Sequence, residues 1–100
     1  MSNIKALSES EIIKNLETLP GWKYQDNKII KEFTLSSFLK VIELIDKLAP
    51  FCEKIDHHPD IHISYKDVRF ELQRFDIGGK VTEKDFDVAK KIEALYSEIN

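Results

Sequence analysis

The chain has 100 residues, 42% of them apolar and 33% charged, and 15 basic against 18 acidic side chains leave a net charge of −3. That length accommodates a single domain, 1–100, with its own core, and leaves no room for a second. The charge balance excludes a broad basic field for nucleic acid or for an anionic membrane; no apolar run is long enough to span a bilayer, and the amino terminus lacks the apolar stretch of a signal peptide.

Ser8-Glu9-Ser10-Glu11 has the form of a capping box, and Ile12, Ile13, Leu16 and Leu19 follow at helical spacing until Pro20-Gly21 breaks the pattern. Trp22 to Tyr24 and Ile29 to Leu35 read as strands joined at the turn pair Asp26-Asn27, with Ile29, Phe33 and Leu35 on one face. Ser36 or Ser37 caps the longest helix, whose wide stripe is Phe38, Val41, Ile42, Ile45, Leu48, Ala49 and Cys52, with Pro50 placed to kink its last turn. Cys52, alone in the chain and on that stripe, reads as a packed, reduced thiol of a cytoplasmic protein. Ile61, Ile63 and Tyr65 alternate with His62 and Ser64 as in a strand, and a turn at Lys66-Asp67 leads to a strand with Val68, Phe70 and Leu72 inward. Ile77 to Lys80 reads as a loop, and Thr82 to Asp85 starts a last helix carrying Phe86, Ala89, Ile92, Tyr96 and Ile99. The order α-β-β-α-β-β-α, with one apolar face per element, predicts an α+β domain: a four-stranded antiparallel sheet with three helices on one side.

All three histidines, His57, His58 and His62, fall within EKIDHHPDIHISY. A helical metal pair at His58 and His62 is disfavoured by Pro59 and by the strand alternation, and no cysteine or second histidine pair completes a zinc site. Two readings then stand: solvated loop histidines, or an acid–base centre. Glu53, Asp56 and Asp60 favour the second, because carboxylates beside an imidazole stabilise its charged form and hold it ready to donate a proton near neutrality.

The run Glu53-x-x-x-His57-His58-Pro59, followed by Tyr65 and later by Asp85, resembles pterin-4a-carbinolamine dehydratases. So do Asp76-Ile77-Gly78-Gly79, Thr82-Glu83-Lys84-Asp85 and the Gly21-Trp22 pair. The resemblance implies dehydration of 4a-hydroxytetrahydropterin to quinonoid dihydropterin in tetrahydrobiopterin recycling, with no cofactor and no metal, by a homodimer or homotetramer. It makes His57 the general acid toward the 4a-hydroxyl and His58 a pterin-binding group that assists proton transfer. Pro59 would hold His58 extended, Glu53 would orient a histidine, and Asp56 and Asp76 would contact the pterin. Where the family carries a third histidine this chain has Phe75, which either stacks on the pterin or makes an apolar subunit contact. Asp85 has a sufficient explanation as a helix-start carboxylate. The departure at Phe75 keeps a second reading open, a weakened or inactive member that binds pterin or another protein.

Overall fold

In the computed structural model, which describes residues 6–73 and 80–99, Ser8 starts the first helix as a reciprocal capping box. The Glu11 N–H donates to Ser8 Oγ at 3.2 Å, and the Ser8 N–H donates to Glu11 Oε1 at 2.8 Å. The elements are α1 (Glu9–Leu16), β1 (Lys23–Gln25), β2 (Lys28–Thr34), α2 (Phe38–Ile55), β3 (Asp60–Ser64), β4 (Asp67–Leu72) and α3 (Glu83–Ile99). Asp26 and Asn27 both take positive φ, 53° and 64°, which gives the β1–β2 hairpin the twist a two-residue turn requires. The Gly78-Gly79 loop, Phe75 and Asp76 lie outside the described residues.

The sheet order is β1-β2-β4-β3, antiparallel throughout, so β2 and β4 are central and β3 is an edge. Register aligns Phe33 with Val68 and Val68 with Ile63, and it sets Ile29 beside Leu72. Those side chains share one face, on which Ile29, Phe33, Val68, Phe70 and Leu72 are buried, whereas Ile63 on the edge strand stays exposed. Phe33 centres an aromatic cluster, 5.9 Å from Phe70 and 4.8 Å from Tyr96. Lys31 breaks the apolar parity of β2, and its ammonium leaves the core edge to bind Glu93 of α3 at 2.6 Å and the Pro20 carbonyl at 2.9 Å. Glu93 also accepts the Trp22 indole N–H at 2.8 Å. Gly21 takes a φ of +89°, which L side chains rarely adopt, and a Cβ there would also push the Lys31 side chain aside. The Gly-Trp pair is therefore a tie between the sheet and α3.

Two expectations are corrected. On α2 the buried residues are Val41, Leu44, Leu48 and Cys52, whereas Phe38, Ile42 and Ala49 of the expected stripe are exposed. The helix carries two parallel apolar stripes, and only one faces the sheet. The β3–β4 turn is Tyr65-Lys66, one residue earlier than expected, and Tyr65 leaves the strand with φ 55° and its ring exposed.

Candidate active site

The end of α2 decides how the two adjacent histidines are presented. Asp56 closes the helix in the left-handed conformation, φ 54° and ψ 52°, with its N–H bonded to the Cys52 and Glu53 carbonyls. The His57 N–H also returns to the Cys52 carbonyl, at 3.0 Å. Beyond that reversal the chain runs extended through Pro59 into β3, so successive side chains point to opposite sides. His57 turns inward and is 3% exposed; His58 turns outward and is 55% exposed.

Each ring meets one carboxylate. His57 Nε2 is hydrogen-bonded to Asp85 Oδ1, inside the protein, at the start of α3. The other oxygen of Asp85 accepts the Thr82 N–H at 2.8 Å, so this fully buried carboxylate serves a helix start and an imidazole together. His58 Nε2 is bonded to Glu53 Oε2 at the surface, where screening leaves the pair an orienting contact rather than a stabilising one. Among the described residues no group of three His, Cys, Asp or Glu side chains is arranged to hold a metal ion.

A hollow of about 270 Å³ opens between α2 and β3. Ile45, Ala49, Cys52 and Ile61 form its apolar wall, and Glu53, His58 and Pro59 line it as well. His57 does not line it, and Asp56 is exposed beside it at the helix end. Cys52 is buried and its thiol is pushed up to about 11, first by desolvation and then by the nearby Glu53 charge, so it is a poor nucleophile at neutral pH. His62 lies apart, exposed on the outer sheet face in a second, shallower hollow with Glu32 and Arg69, and 3.6 Å from Glu71.

The structure thus brings Glu53, His58 and Pro59 together and puts His57 behind them on Asp85. Asp85 is the partner that sequence reasoning explained too cheaply. A carboxylate in a first turn is usually solvated, and nothing local to it signals that a histidine 28 residues earlier will be its partner.

Comparisons with known proteins identify the family. The family model for pterin 4 alpha carbinolamine dehydratase matches residues 5–95, and the chain belongs to that family. A Sulfolobus acidocaldarius relative, provisionally named pterin-4-alpha-carbinolamine dehydratase, is 42% identical over 89% of this chain and 97% of its own length. A relative from Aquifex aeolicus with the same provisional name is 36% identical over 96% of both chains. A crystal structure from Brucella melitensis, described as a transcriptional coactivator/pterin dehydratase, superposes with a TM-score of 0.87 at 31% identity, covering 92% of this chain and 99% of that one. A pterin dehydratase-like protein identified as a RuBisCO assembly factor in the alpha-carboxysome shares the fold, with a TM-score of 0.64 at 23% identity over 78% of this chain and 92% of its own.

Proposed function

We propose that this protein dehydrates 4a-hydroxytetrahydropterin to quinonoid dihydropterin and water, as a cytoplasmic step of tetrahydrobiopterin recycling. The observation that carries the reading is the pair of adjacent histidines, each held by its own carboxylate, at the end of α2. In the reaction the C4a–O bond breaks, its oxygen leaves as water after receiving a proton, and N5 gives up its proton as the N5–C4a double bond forms. Hydroxide is a poor leaving group, so a proton donor at the 4a-hydroxyl is the main catalytic need. His57 is assigned that donation. Its Nε2 faces Asp85, which leaves Nδ1 as the nitrogen through which the proton would travel. His58, set by Glu53 and Pro59, binds the pterin and assists removal of the N5 proton. By the family resemblance Asp56 and Asp76 are assigned to the pterin, and Phe75, where the family carries a third histidine, has no proton to transfer.

The test is dehydration of freshly generated 4a-hydroxytetrahydropterin, followed against its spontaneous loss. The purified protein accelerates the reaction, and His57→Ala lowers the rate by the ~10²–10⁴-fold of a general acid–base group. No acceleration by the wild-type protein overturns the reading.

One observation favours an additional role for surface contacts. Phe38, Leu39 and Ile42 expose an apolar seam on α2, at 47%, 76% and 41%, which suits self-association into a homodimer or homotetramer. A member inactive toward pterin would use the same seam as a protein-binding module.

A further inference from the structure

We infer that Lys84 is a positioning residue that registers the histidine-bearing turn against α3, an assignment that rests on the dehydratase reading for its effect on rate. At the carboxyl end of α2, the Cys52 and Glu53 carbonyls are used by the Asp56 and His57 N–H groups that turn the chain. The Ile55 carbonyl is taken instead by the Lys84 ammonium, at 2.9 Å in a half-buried contact from the first turn of α3. Lys84 is the neighbour of Asp85, and Ile55 is two residues from His57. The first turn of α3 therefore grips the reversal twice, by the backbone at Ile55 through Lys84 and by the imidazole of His57 through Asp85.

The two grips restrain different motions. Asp85 alone fixes one ring nitrogen, and a ring so held still pivots as its backbone shifts. Lys84 removes that freedom by tying the carbonyl immediately before the left-handed Asp56, where a small rotation would swing His57 and His58 together. Its positive charge also lies at the end of α2 where unpaired carbonyls concentrate negative charge. Glu83 beside it is exposed, so the inward reach toward Ile55 belongs to Lys84 in that turn.

Lys84→Met keeps the apolar stem and removes the ammonium; Lys84→Arg keeps a donor. The measurement is the imidazole nitrogen spectrum of nitrogen-15-labelled protein, read through the non-exchanging ring protons, together with steady-state kinetics. At a pH that leaves the ring neutral, wild-type His57 is expected to show one fixed tautomer with the proton on Nε2. Lys84→Met is expected to average its two nitrogen shifts and to lower kcat roughly 10- to 100-fold, the scale of an ångström-sized misplacement, with KM changed little. Lys84→Arg restores most of both readouts. A Lys84→Met protein with the wild-type His57 spectrum overturns the inference, even where its melting temperature falls, because a merely structural tie would lower stability alone. Wild-type protein without dehydratase activity overturns the functional reading instead, and the spectra still decide the role of Lys84.

Discussion

Asp85 has no exposure to water and holds two donors, the His57 ring and the Thr82 N–H, one on each carboxylate oxygen. Asparagine at this position keeps the size but offers a single carbonyl oxygen, so one of those buried donors loses its acceptor. Asp85→Asn is therefore expected to cost about 1–3 kcal/mol of stability, the penalty of an unsatisfied buried group. It should also lower the dehydration rate by ~10²-fold or more, because the ring loses the carboxylate that holds it in place. Urea midpoints and initial rates check the two effects separately. A variant that loses stability yet keeps the full rate would leave Asp85 as a helix-start residue only. At this scale the sequence was legible where residues act as neighbours in the chain. Glu53, His58 and Pro59 lie within one turn and a reversal, and their proximity follows from local geometry. The contacts of Asp85 and Lys84 were illegible because they depend on how α3 docks against α2, which no local spacing encodes.

Helix α2 shows the same limit at the scale of an element. Its apolar positions divide into Val41-Leu44-Leu48-Cys52, buried against the sheet, and Phe38-Ile42-Ala49, exposed alongside, with Ile45 half-buried between them. Period alone identifies the helix and its cap, and Ser37 does cap it, accepting the Lys40 N–H at 3.2 Å. Period cannot say which of two adjacent stripes faces the core when both are apolar. Element order, the two hairpins and inward parity were legible because each strand has one polar face and each turn carries its own turn residues, whereas the β2–β4 pairing that joins the hairpins was not. The uncovered stripe makes a prediction at its own scale. Leu39→Lys combined with Ile42→Lys should convert an oligomer to monomers in light scattering, since charges in an apolar seam are left without partners. Exposed sites tolerate such changes within about 0.5 kcal/mol, so the monomer should remain folded. A wild-type protein that is monomeric at all concentrations would remove the seam from any self-association.

Across the whole molecule, the outer sheet face links stability to pH through one carboxylate. Glu71 of β4 meets Lys28 of β2 at 2.6 Å and Arg69 at 2.9 Å, bridging the two central strands on the side the helices leave open. The Lys28 hydrogen bond holds the Glu71 carboxyl below its ordinary value; partial burial opposes it, and Arg69 assists. The same bond, against a smaller desolvation effect, raises Lys28 above the ordinary lysine value. A depressed carboxylate gives stability that is present above its unfolded value and lost as pH falls through its folded one. A raised lysine gives stability that is present below its unfolded value and lost as pH rises through its folded one. The bridge therefore contributes across the neutral range and fades at both the acid and the alkaline ends. Glu71→Gln removes the carboxylate's acid transition and lets Lys28 return toward its ordinary value. Unfolding free energies of the two proteins, measured in urea from pH 3 to 11, should differ most near neutrality and draw closer toward either end. High salt should narrow the gap at neutral pH without closing it, because the pair is only partly exposed. Curves that stay parallel over the whole range would show that the Lys28–Glu71 contact contributes nothing that depends on its charge, and the coupling between the central strands would then rest on backbone pairing and the buried face alone.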